Sequence, residues 1–143
     1  MSQRVLVPVD GSTHSKDALT VAAEEFGDAE LIVYHVVEPF DVASVSEPAV
    51  WDDDVLDRRT DEGEKLLEEY RTLAKDHGVD VRTELAFGKP TRAIVDAAGE
   101  FDVDHIVMGS RGRKGVARVL LGSVAENVVR RAPVTVTVVR TGE

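Results

Sequence analysis

Cysteine is absent from the 143-residue chain, which excludes disulfide scaffolds, thiol nucleophiles and cysteine-ligated zinc or iron–sulfur sites together. Long apolar runs are missing as well: none approaches the roughly 20 residues that a membrane span requires. The opening Met1-Ser2-Gln3-Arg4 leads straight into a strand-like run, without the charged, apolar and small-residue sections of a secretion signal, so a cytoplasmic protein with no membrane partner is expected. Positive charge is scarce. Lys and Arg number 17 against 27 Asp and Glu, a formal net charge of -10, and a field of that sign opposes binding to a nucleic-acid backbone. No internal repeat or low-complexity segment is visible. What is present suits a packed interior, 43% hydrophobic and 31% charged residues over a length that predicts one domain, residues 1–143. The acid excess is spread along the chain, and arginines outnumber the five lysines. It reads either as a surface adapted to high salt, where screening weakens carboxylate repulsion, or as that of an ordinary acidic cytosolic protein.

Strand-like apolar runs alternate with amphipathic stretches, the pattern of an open α/β fold with a parallel sheet. Strands are expected at residues 4–9, 29–37, 80–86, 103–108 and 134–139, and helices from the Asp10-Gly11-Ser12-Thr13 turn to about Phe26, over 52–77, over 89–99 and over 119–131. Residues 29–37 are nearly continuous in apolar side chains, as expected when helices cover both faces of a strand. Ala18, Leu19, Ala22, Ala23 and Phe26 form the inward face of the first helix, and Leu56, Gly63, Leu66, Leu67, Tyr70, Leu73 and Ala74 that of the second. Residues 38–50, with two prolines and no period, form a long loop.

Gly109-Ser110-Arg111-Gly112-Arg113-Lys114-Gly115 lies between the fourth strand and the fourth helix, and Gly122-Ser123 follows. Glycines joining a strand end to a helix start let backbone N–H groups approach an anion unobstructed by Cβ atoms. Ser123 adds a hydroxyl, and Arg111, Arg113 and Lys114 form the one dense positive cluster. Any single glycine of the set is better explained by a tight turn or close packing; the set, placed after a strand, favours a phosphate site.

The spacing glycine, two residues, glycine, nine residues, glycine then serine is met by Gly109, Gly112, Gly122 and Ser123. With Val5-Leu6-Val7-Pro8-Val9-Asp10-Gly11-Ser12, His35-Val36, Gly88-Lys89-Pro90 and Arg131-Ala132-Pro133-Val134, it makes the chain resemble the ATP-binding branch of the universal stress protein family over its whole length. Joined to the acid excess, the resemblance points to a halophilic archaeal member. It implies a Rossmann-like, adenine nucleotide alpha hydrolase-like fold, with a five-stranded parallel sheet of order 3-2-1-4-5 and four helices on its two faces. It implies ATP at the sheet's C-terminal edge, with Mg²⁺ or Mn²⁺ held mainly by the phosphates. Pro8, Val9 and Asp10 would line the adenosine side and Val36 would meet adenine through its backbone. Met108, Gly109, Gly112, Gly122, Ser123 and Val124 would hold ribose and phosphates. Asp10 has two compatible roles, accepting hydrogen bonds from adenosine or supporting a hydrated metal, and capping the first helix.

Other motifs fail. Phe87-Gly88-Lys89-Pro90-Thr91 resembles a P-loop, but Thr83 stands where its first glycine belongs and Pro90 where its hydroxyl belongs. The turn after the first strand has only Gly11, too few glycines for a dinucleotide fingerprint. His14, His35, His77 and His105 lack metal-ligand spacing, and Asp52-Asp53-Asp54 reads as a solvated helix start rather than a cation site. No catalytic residue is assigned. Three functions are compatible with these residues: a nucleotide-dependent regulator in the stress response, with an unidentified protein partner; a slow ATP hydrolase completed by a partner; and a nucleotide-independent interaction module. The regulator is preferred, since no residue suited to orienting a water is evident. The resemblance further implies a homodimer through the uncharged, proline-free fifth strand, with Val128 and Val129 extending the contact.

Overall fold

The computed structural model describes residues 3–38, 53–111 and 121–140. In chain order it has β1 (Arg4–Pro8), α1 (Thr13–Glu25), β2 (Glu30–Val37), α2 (Asp53–Asp76), β3 (Val81–Phe87), α3 (Pro90–Glu100), β4 (His105–Gly109), α4 (Ser123–Arg131) and β5 (Thr135–Val139). The strands form one parallel sheet of order β3-β2-β1-β4-β5. This is the open α/β, Rossmann-like arrangement expected.

The alternation of side chains along each strand assigns the helices to faces. Val5, Val7, Leu31, Val33 and Val107 point to one side, where α1 supplies Ala18, Leu19 and Ala22 and α2 supplies Leu67, Tyr70 and Ala74. Leu6, Ile32, Ile106 and Met108 point to the other, against Ile94, Ala97 and Ala98 of α3 and Ala125 and Val128 of α4. Burial on both faces explains why β1 and β2 read as unbroken apolar runs.

Two boundaries differ from expectation by more than one residue. β4 starts at His105 rather than Val103, because Val103 N–H donates to Ala98 O (3.1 Å) and closes α3. Asp102, at φ 51°, turns the chain there, and Arg4 N–H is taken by Asp104 Oδ2 at 2.9 Å. α4 starts at Ser123, since Gly122 is extended and its N–H returns to Ser110 O at 2.7 Å. Val128 is fully buried in the core, so it is not available to an outside contact; Val129 is exposed. The loop expected at 38–50 falls almost wholly outside the described residues, as do Asp52 and the side chains of Asp53 and Asp54. Among the described residues no helix is long and apolar enough to cross a membrane.

Candidate nucleotide site

β1 has β2 on one side and β4 on the other, so the connections leaving β1 and β4 diverge to opposite faces and leave a crevice at the C-terminal edge of the sheet. A cleft of about 620 Å³ opens there. Every expected site residue lines it except Gly112, which lies outside the described residues together with Arg113, Lys114 and Gly115. Pro8, Val9 and Asp10 come from the end of β1 and Val36 from β2. Met108 and Gly109 come from β4, and Gly122, Ser123 and Val124 from the start of α4.

The cleft straddles the sheet. On the α3 and α4 face, Tyr34, Pro90, Ile94 and Met108 give an apolar wall. Tyr34 donates its hydroxyl to Ala93 O at 3.3 Å, which ties α3 to β2. Burial first, then the charges of Glu100, Asp96 and Glu84, push its phenol up to about 12. On the α1 and α2 face the lining is more polar, with Ser15, His35, Arg59 and Glu62. His35 Nδ1 lies 2.8 Å from Val9 O; the carbonyl only accepts, so this nitrogen carries the proton. Gly63 lets α2 approach here: a Cβ on it would meet Leu85 Cδ1 at 2.8 Å.

The turn after β1 is closed by its own side chains. Gly11 sits at φ 86°, where glycine is favoured. Ser12, not Asp10, is the N-cap of α1, its Oγ accepting Ser15 N–H at 3.1 Å. Asp10 acts one step earlier: Oδ1 accepts Ser12 N–H at 2.9 Å. Ser15 Oγ accepts Asp10 N–H at 3.3 Å and donates to Ser12 O at 3.1 Å. The Tyr70 hydroxyl, brought in by α2, accepts Gly11 N–H at 3.1 Å and also bonds Ser15 Oγ. Burial raises the Tyr70 phenol above its usual value, against smaller lowering contributions from its bonds to Ser15 and Gly11.

Sequence reasoning missed Ser15 and took Tyr70 only as core. A signal existed for Ser15, which shares the buried face of α1 with Ala18, Leu19 and Ala22 although it is polar. A buried hydroxyl on an apolar face requires a partner.

The two fingerprint glycines in view are not alike. A Cβ on Gly109 would lie 2.7–2.8 Å from the backbone and Cβ of His14, so this glycine is needed for packing of α1 on β4. A Cβ on Gly122 would come only to 3.3 Å from Arg111 Cα, and its φ of -73° suits any residue. Gly122 is the N-cap of α4 and supplies no side-chain hydrogen bond. The intrahelical ladder begins with Glu126 N–H donating to Gly122 O, so the N–H groups of Ser123, Val124 and Ala125 precede it at the rim of the cleft.

A sequence model of the Universal stress protein family matches residues 1–140. The chain belongs to the universal stress protein family. It is 35% identical over 141 residues to Universal stress protein MJ0531 of Methanocaldococcus jannaschii, covering 96% of this chain and 82% of that relative. The solved structure of hypothetical protein MJ0577 is similar over 100% of this chain and 99% of that one, at 30% identity and a TM-score of 0.84. A universal stress protein solved in complex with cAMP aligns over 96% of this chain and 95% of its own, at 29% identity and a TM-score of 0.68.

Proposed function

We propose that the cleft binds an adenine nucleotide, ATP in the first place, and that occupancy makes the protein a nucleotide-dependent regulator in the stress response. The observation that carries this is the α4 start: a glycine cap with no side-chain hydrogen bond, opening on a cleft that β1 and β2 close from the other side. Such a helix end favours phosphate through its N–H groups and its dipole. Ser123 adds a hydroxyl to it, while Pro8, Val36 and Met108 offer apolar surface to a base and Asp10 an acceptor to sugar or base. The family member solved with cAMP supports an adenine nucleotide as the ligand class. Mg²⁺ or Mn²⁺ would be carried mainly by the phosphates.

Calorimetric titration with MgATP, at low and at molar salt, tests the reading. Saturable binding is the expected result; none by folded protein at any salt overturns it. Turnover is expected to be slow or undetectable. A steady-state ATPase rate in the ordinary enzyme range of about 1 to 10³ per second would make the chain a hydrolase instead.

The working assembly in this reading is a homodimer through β5. Ser110 N–H donates to Val139 O at 2.8 Å, so Val139 turns its backbone groups toward β4. Val136 and Val138, of opposite parity, turn theirs to the outer edge. Val136→Pro therefore removes an outward donor without touching the β4–β5 ladder, and light scattering should report a dimer that this variant weakens.

A further inference from the structure

We propose that His35 is a positioning residue for the base. By taking the Val9 carbonyl, its ring stops the β1–β2 ladder one step short and leaves the Val36 N–H and C=O open to a ligand's heterocycle. This rests on the nucleotide reading above. Tyr34 O receives Val9 N–H at 2.8 Å and Val37 O receives Gly88 N–H at 3.0 Å. The backbone groups of even-numbered β2 residues therefore turn toward β1, and those of odd-numbered residues toward β3. Val36 faces β1. With Pro8 level with Tyr34, a ladder continued by one step would give Val36 N–H to Val9 O and Gly11 N–H to Val36 O. Neither bond is present among the described residues. Val9 O accepts His35 Nδ1–H at 2.8 Å, and Gly11 N–H goes to the Tyr70 hydroxyl at 3.1 Å.

Two side chains thus intercept the two partners of Val36, and His35 is the one that acts on the end of the ladder. Its ring stands on the α1 and α2 face, to which Leu31 and Val33 also point, so it draws the Val9 carbonyl out of the plane of the sheet and away from Val36 N–H. α2 backs the ring: a Cβ on Gly63 would come to 3.4 Å from His35 Cδ2. Val36 is half-buried, and both residues line the cleft. A half-buried peptide group without a protein partner calls for one from water or ligand. A donor and an acceptor side by side fit a heterocycle edge with a ring-nitrogen acceptor beside an exocyclic amine.

The test uses wild type, His35→Leu and His35→Asn, with two readouts: amide hydrogen exchange at Val36 by NMR, and calorimetric titration with MgATP and with inorganic tripolyphosphate. Leu removes the donor, whereas the Asn amide nitrogen stands near the position of imidazole Nδ1 and keeps it. In wild type Val36 N–H is expected to exchange faster than Tyr34 N–H, which lies within the paired register, and to slow when MgATP binds. In His35→Leu the ladder closes over Val36, so exchange slows without ligand. MgATP should then bind about tenfold more weakly, the size of two neutral hydrogen bonds, with tripolyphosphate binding unchanged. His35→Asn should return both readouts to wild type. Val36 exchange as fast in His35→Leu as in wild type, an equal loss for both ligands, or no rescue by His35→Asn would each overturn the assignment. If His35→Leu does not fold by circular dichroism, His35→Gln, whose amide nitrogen stands nearer the Nε2 position, is held to the same outcomes. Wild type that binds no MgATP overturns the nucleotide reading and this inference together; wild type that binds while Val36 exchange is indifferent to His35 overturns this inference alone.

Discussion

At the start of α1, Ser12 Oγ accepts Ser15 N–H, Asp10 Oδ1 accepts Ser12 N–H, and hydroxyls from Ser15 and Tyr70 take the N–H groups of Asp10 and Gly11. At the start of α4, facing the same cleft, Gly122 holds the cap position and offers no side chain. Both helices leave the C-terminal edge of one parallel sheet, and both starts present the positive end of a helix dipole. Among the described residues only the second lacks a side-chain cap on its first-turn donors. Sequence position alone does not distinguish them, since each follows a strand through a segment containing glycine and serine. What separates them is where the side chains come from: α1 is closed by residues on itself and by α2, whereas Gly122 has no side chain to give.

The most severe way to break the comparison is to finish α4 as α1 is finished. Gly122→Asp supplies a capping carboxylate, and the extended backbone at 122 accepts it, with Arg111 Cα giving way by a few tenths of an ångström. The same carboxylate would sit where phosphate is proposed to bind. Like charges brought together at a binding surface cost several kcal/mol, so MgATP affinity should fall by about a hundredfold or more. Urea denaturation should show stability changed by only a few tenths of a kcal/mol, because cap gain and crowding oppose each other. Unchanged affinity in the folded variant would remove α4 from the site.

Gly109 gives the next effect and separates the glycines of the fingerprint. Gly109→Ala drives a methyl to within 2.7–2.8 Å of His14, including its backbone, which cannot swing aside as a side-chain tip does. Overpacking of this kind costs about 1–3 kcal/mol, expected as a lower urea midpoint at constant slope. A variant as stable as wild type would mean that α1 slides on β4 to make room, and that Gly109, like Gly122, is conformationally spare.

Much of this was legible beforehand because it is local. The alternation of strand and helix followed from apolar runs such as Leu31 to Val37, and a spacing pattern pointed to Gly109, Gly122 and Ser123, which the fold brings to one cleft, while Pro8, Val9, Asp10 and Val36 came from family resemblance. The order of the strands came from family resemblance, since pairing of β1 with β4 joins residues about a hundred positions apart. The closed turn after β1 was not legible for the same reason. Tyr70 has ordinary helical periodicity on α2, and nothing local to it announces that its hydroxyl ends 59 residues away on Gly11. Val103 and Val128 show the converse failure: apolar character marked both as strand or surface-contact candidates, while one closes α3 and the other fills the core.

The mildest probe of the α1 start is alkaline pH. Burial raises the Tyr70 phenol above its ordinary value of 10, so the folded protein keeps this proton after the unfolded chain has lost it. The folded state then binds more protons than the unfolded state, and stability must fall as pH rises. The contribution is complete below pH 10 and is withdrawn as pH climbs from there through the folded-state value. Tyr34, pushed up to about 12, acts in the same direction. It remains in a Tyr70→Phe variant, so the difference between wild type and variant isolates Tyr70. Urea denaturation from about pH 9 to about pH 11 should show wild type losing stability more steeply than the variant, with the two curves converging as the wild-type hydroxyl ionises. Parallel curves would mean that the Tyr70 proton is no better held in the folded chain than in the unfolded one, its bonds to Ser15 and Gly11 offsetting the effect of burial.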